Sequence, residues 1–227
     1  MSKLEAILFD MDGTLMDSEP LWLKADLAMI ASYGGFMSEE EHDLYIGMGA
    51  VTFLPMIKEK YGIEASYEEL REFQERTYLE IARSEICLFP QMIALAEWAI
   101  ENHIPVGIAS GSTKDIIDEM CSITGIRELF PVRVSAQEVE EGKPEPHVFL
   151  EAASRLQARP EACLVVEDSP VGVEAAYRAG MRTIAVPSPM VRDPKDFLNR
   201  ADLIFEGGMT AFTSEKAISW ISREYNF

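Results

Sequence analysis

Residues 9 to 19 read FDMDGTLMDSE and follow a short apolar run, Ala6-Ile-Leu-Phe9. A strand that reads as buried thus ends in two carboxylates, Asp10 and Asp12. Residues two apart across a strand-to-loop turn can face one cavity. Asp10 could then attack phosphorus as a carboxylate nucleophile, giving an acyl phosphate. Asp12 could protonate the leaving alcohol and later take a proton from water, as a general acid and then a base. Gly13 would let the backbone turn tightly beside them.

Three other stretches carry groups suited to the same chemistry. The apolar run 104–109 ends in Ser110-Gly111-Ser112. Its hydroxyl and backbone amides precede a helix start, which is a natural anion seat. Cys163-Leu-Val-Val166 ends in Glu167-Asp168-Ser169, and Lys143 sits in Gly142-Lys143-Pro144-Glu145-Pro146, a point charge on a restricted backbone. Alone, each has a plainer reading: a solvated turn acid, a helix cap, a surface lysine. Together, Asp10, Glu167 and Asp168 at one sheet edge would repel one another and raise at least one pKa unless a cation sat among them. Mg²⁺ suits such a place, since it prefers oxygen ligands and uses one or two carboxylates plus substrate phosphate.

The elements that must position these groups follow from the pattern. Strands are predicted at 104–109, 132–135, 163–166, 183–186 and 202–205. Helices are predicted at 113–124 (opened by Ser112), 147–156, 171–179 and 214–225. Strand–helix alternation of this kind predicts an α/β fold, a Rossmann-like parallel sheet with helices on both faces. The stretch between Phe9 and Ile104 is far longer than a βαβ crossover of about 30 residues. It is rich in helix signals, with Ser38–Glu41 and Ser66–Glu69 each matching a capping box. The expected organisation is therefore a core of 1–16 with 89–227, carrying an inserted α-helical cap domain of 17–88.

Bulk properties narrow the partners. The 227 residues carry 20 basic and 39 acidic side chains, a net charge of −19. Such a surface repels phosphate backbones and anionic lipid, so neither nucleic acid nor membrane is expected as a partner. An anionic substrate would need local positive charge at its site. No signal peptide and no apolar stretch near the roughly 20 residues of a bilayer span is found, so the expected compartment is cytoplasmic. Cys87, Cys121 and Cys163 are widely spaced within apolar segments and are expected to be buried and reduced. His42, His103 and His147 have no partner that would make them catalytic and read as ordinary surface or boundary residues. A monomer is expected.

In their order, "FDMDGTLMDSE", "ASGS", "GKPEP" and "VVEDS" resemble the motifs of the haloacid dehalogenase-like (HAD) superfamily of phosphohydrolases, in the subgroup with a helical (C1-type) cap. The resemblance spans essentially the whole chain. It implies a Rossmann-like core with a mobile cap, Asp10 as nucleophile and Asp12 as general acid/base. It implies that Ser110, Gly111 and Lys143 bind the transferring phosphoryl group. Mg²⁺ would be held by Asp10, the Asp12 carbonyl and Asp168, with Glu167 ligating directly or through water. An aspartate at 12 argues against the dehalogenase branch. Trp22 stands where the related β-phosphoglucomutase has a histidine, and Ala50 where a cap arginine would fall, which favours hydrolysis over the mutase alternative. The substrate so implied is a small phosphorylated metabolite, a sugar or polyol phosphate. A catalytically idle HAD-fold binding protein is the alternative of another class, but none of the key residues is missing.

The cap would set the substrate, with Ser18, Glu19, Trp22, Met48 and Gly49 as candidate lining residues. Trp22 also falls at helical spacing with Leu21, Ala25 and Met29, the pattern of a packing stripe. Met48 between two glycines could equally be a hinge.

Overall fold

The computed structural model describes residues 3–42, 44–45, 49–188 and 200–226. It divides into two compact units, Met1–Asp17 with Leu88–Phe227, and Ser18–Cys87. The chain begins with strand β1 (Ala6–Phe9). It then forms α1 (Glu19–Ser32), α2 (Glu39–His42), α3 (Ala50–Tyr61) and α4 (Tyr67–Glu85), which make up the second unit. On return it runs α5 (Pro90–Glu101), β2 (Val106–Ser110), α6 (Lys114–Ile123), β3 (Val132–Ser135), α7 (His147–Arg155), β4 (Cys163–Glu167), α8 (Pro170–Arg178), β5 (Arg182–Ala185), β6 (Leu203–Ile204) and α9 (Ser214–Glu224). Met16 and Leu88, beside the points of departure and return, form a β-bridge, and the Phe89 amide donates to the Leu15 carbonyl at 3.0 Å.

The six strands make one parallel sheet in the order β3-β2-β1-β4-β5-β6. The expected Rossmann-like α/β core is the observed one. β1, β2 and β4 are buried at every position, which is why they read as unbroken apolar runs rather than alternating ones. On one face Leu8, Ala109, Val134 and Val165 pack against Val148, Phe149 and Ala152 of α7 and Ala175 and Ala176 of α8. Each large aliphatic or aromatic side chain buried there is worth roughly 1.5–3 kcal/mol. β2 starts at Val106, two residues later than expected. Pro105 has no N–H for a ladder, although its carbonyl still accepts from Ile7 at 3.0 Å.

The helical unit has its own core of Met29 and Ile30, Phe53, Leu54 and Ile57, and Leu70. Ser66 and Glu69 form a full capping box at the start of α4. At Ser38 only half forms: the Glu41 amide donates to Ser38 Oγ, while the Glu41 carboxylate turns to Lys60 and Tyr61. Two readings need correction. Cys87 is exposed; it follows the last turn of α4 rather than lying inside an apolar element, whereas Cys121 and Cys163 are buried thiols. His42 is buried rather than at the surface or boundary: its Nε2 lies 2.8 Å from Asp26 Oδ2, and Gln74 Nε2 donates to Asp26 Oδ1. Among the described residues no helix is long and apolar enough to cross a membrane.

Candidate active site

In a sheet of this order the chain reverses direction of winding at β1, and groups that bind or react gather beyond the carboxyl ends of the central strands. The register places the motif residues there. Phe9 is paired with Ile108 of β2 and Val166 of β4, so Asp10, Ser110, Glu167 and Asp168 emerge at one edge. The Asp10 amide donates to the Val166 carbonyl at 3.0 Å, fixing the last step of β1 against β4.

Lys143 reaches this edge from the loop before α7. Its Nζ is 2.5 Å from Asp10 Oδ1 and 2.6 Å from Glu167 Oε1, and it lies 4.9 Å from the centre of the Phe149 ring. Glu167 is completely buried. Its other oxygen, Oε2, accepts from the Ser169 amide at 2.8 Å and from Ser169 Oγ at 2.9 Å. Thr14 Oγ1 donates to Asp168 Oδ1 at 3.3 Å. Gly13 sits beside that carboxylate with φ of +76°, and a Cβ there would stand 3.0 Å from Asp168 Cγ, so both the turn and the close approach require glycine.

Burial pushes the Asp10 carboxyl up to about 8 against the pull of Lys143, and the Glu167 and Asp12 carboxylates add to the rise. Burial works against the Lys143 ammonium too, but Asp10 and Glu167 outweigh it and raise its pKa. One ammonium thus serves a crowd of acids. Asp10, Glu167 and Asp168 can each offer a carboxylate oxygen, all within 4.8 Å of one another. A buried set of hard oxygen donors in excess of its cation fits Mg²⁺.

The hydroxyls on the other flank are arranged differently from the expectation. Ser112 does not cap α6: the N-cap position is Thr113, with no side-chain cap bond. Ser112 Oγ instead donates to Asp12 Oδ2 at 2.7 Å, with Ser110 Oγ farther off at 3.5 Å. The Ser112 amide donates to Ser110 Oγ at 3.0 Å, and Ser135 Oγ of β3 holds the Ser112 carbonyl at 2.6 Å. Gly111 lies within this pinned turn. Sequence reasoning placed Ser112 in the site only through its backbone amide and missed its hydroxyl, and it missed Ser135, Thr14 and Ser169 altogether. Each follows or faces a strand end, which is the signal that could have found them.

The five cap candidates belong to the helical unit. Ser18 is the N-cap of α1, without a side-chain cap bond, and Glu19 is its first residue. Trp22 stacks on Tyr78 of α4 with ring centres 3.8 Å apart and planes 9° from parallel, so the packing alternative accounts for one of its faces. Gly49 is the N-cap of α3. Met48 lies outside the described residues.

Residues 7–186 match the family described as haloacid dehalogenase-like hydrolase. The chain belongs to this family. The phosphorylated carbohydrates phosphatase of Thermotoga maritima is 30% identical over 225 residues, covering 97% of this chain and 99% of that protein. Hexitol phosphatase B of Escherichia coli is 30% identical over 196 residues, covering 85% and 88%. Among solved structures, CbbY from Rhodobacter sphaeroides in complex with phosphate superimposes with a TM-score of 0.81 at 26% identity, covering 91% of this chain and 95% of that one.

Proposed function

We propose that this enzyme is a Mg²⁺-dependent phosphatase that hydrolyses small phosphorylated sugars or polyols through a phosphorylated Asp10. The observation that carries the reading is the meeting of Asp10 with Lys143, Glu167 and Asp168 at one sheet edge, with Asp12 beside it on the Ser110–Ser112 turn. Phosphatase relatives over nearly the full chain support the reaction class.

The steps follow from what each side chain can do. Lys143 and the Ser110–Gly111 turn bind the phosphoryl oxygens. Asp10, ionised, attacks phosphorus; the ester P–O bond breaks, and the alcohol leaves with a proton from Asp12. Water then attacks the acyl phosphate, Asp12 takes back a proton, and phosphate and free Asp10 are restored. Asp10, the Asp12 carbonyl and Asp168 would hold Mg²⁺, which supplies positive charge against the charge on the transferring oxygens. Among the family's chemistries, hydrolysis is favoured over phosphoryl shuttling because Trp22 and Ala50 bring no cation to clamp a second phosphate. In this reading the helical unit, through Ser18, Glu19, Trp22, Met48 and Gly49, selects the substrate.

The test is phosphate release from a panel of hexose and hexitol phosphates with and without Mg²⁺. Stoichiometric release of inorganic phosphate is expected. Conversion of β-glucose 1-phosphate to glucose 6-phosphate without release would replace this reading with a mutase, and silence on every ester would remove it.

A further inference from the structure

We propose that Ser169 and Gly172, at the start of α8, are positioning residues that aim Lys143 at Asp10 through Glu167; the catalytic consequence rests on the phosphatase reading above. The chain of contacts is continuous. Glu167 is the last residue of β4, buried, and its two oxygens face different partners: Oε1 faces Lys143, and Oε2 is held by Ser169 through an amide and a hydroxyl hydrogen bond. Ser169 is itself fixed as the N-cap of α8, its Oγ accepting from the Gly172 amide at 3.1 Å. One hydroxyl therefore closes the helix start and clamps the carboxylate.

Gly172 makes the room. A Cβ built there would overlap the Glu167 carboxylate, standing 2.5 Å from even the more distant oxygen. Such an approach is available only to glycine, although Gly172 lies inside a helix, has no positive φ, and sits where alanine would ordinarily be the better helix former. The carboxylate cannot rotate away without leaving Lys143, because Oε1 is the oxygen that Lys143 holds. A methyl at 172 would thus move the ammonium that neighbours the attacking carboxylate.

Helix propensity and this seat predict opposite signs, so a cycle of variants separates them. Gly172→Ala should lower Tm in the wild-type background and raise it, or leave it unchanged, in Glu167→Ala, where the vacated space accepts the methyl. This melting cycle needs no activity, so it can fail or hold independently of the phosphatase reading. An equal loss of Tm in both backgrounds would mean that Gly172 acts through general helix packing, and a rise in both would mean that there is no clash; either overturns the proposal. On the activity side, Gly172→Ala should cut kcat for p-nitrophenyl phosphate at least tenfold. If that variant does not fold, Ser169→Ala serves instead: a several-fold loss of kcat, largely recovered by Ser169→Thr, is expected. Equal kcat for Ser169→Ala and wild type would equally overturn the proposal.

Discussion

Asp10 and Asp12 differ in what surrounds them, and that difference assigns their expected behaviour. Asp10 is buried against the Lys143 ammonium and two other acids, whereas Asp12 is held by the Ser112 hydroxyl at the mouth of the turn. Asp10→Asn removes the nucleophile and should abolish turnover. Asp12→Ala should leave a telling residue of activity with p-nitrophenyl phosphate, whose good leaving group needs little protonation. A burst of about one equivalent of nitrophenol, followed by turnover slowed roughly 10²–10⁴-fold, is the expected trace in rapid-mixing assays. A uniform slowing without a burst would place Asp12 outside the second step. Ser112→Ala, which frees the Asp12 carboxylate on one side, should cost less than Asp12→Ala in the same assay.

Among the elements, α1, α2 and α4 show how a polar group can organise a small helical unit. Asp26 of α1 is buried and joins His42 of α2 to Gln74 of α4. Removing one partner of a buried hydrogen-bonded network leaves the others desolvated and unsatisfied, at a cost of about 1–3 kcal/mol. Asp26→Ala should therefore lower the stability of this unit by about that much in chemical denaturation. A near-neutral result would mean that the apolar core of Met29, Leu54 and Leu70 holds the unit alone. The core sheet depends on a different device. Its central strands are buried along their whole length, and their register, Phe9 opposite Val166, is what delivers the strand-end acids to one place.

The whole molecule carries −19 charges, yet the reaction proposed for it needs an anion to approach three buried acids. Binding a divalent ion only in the folded state stabilises that state by mass action. Added Mg²⁺ should accordingly raise Tm in wild type, with the shift lost in Asp168→Asn, as read by thermal melting; an unchanged shift in the variant would exclude Asp168 from the ion's shell. At longer range the global field opposes a dianionic substrate. Raising ionic strength toward about 0.15 M, at fixed Mg²⁺, should therefore leave kcat/KM steady or increase it, because screening acts on exposed charges more than on the buried site. A steep fall with salt would signal a positive approach surface.

Much of this architecture is local in origin, and so it was legible in the amino-acid order. Unbroken apolar runs closed by Asp10, Ser110 and Glu167 mark buried parallel strands. Helical spacing and cap residues mark what lies between them, and the ordered motifs point to the reacting groups. What the order of residues could not fix is which atom each polar group would face. Ser112 reads as a cap and is instead the hydroxyl partner of Asp12; His42 reads as a surface or boundary histidine and is buried against Asp26; Glu167 reads as a metal ligand, directly or through water, and its ties to Lys143 and Ser169 carried no sequence signal. Gly172 carried no signal, since its neighbour Glu167 is set by how α8 folds back on the end of β4. Periodicity and turn chemistry are properties of adjacent residues. Partner choice depends on strand register and helix packing between distant segments, and only the folded chain supplies those.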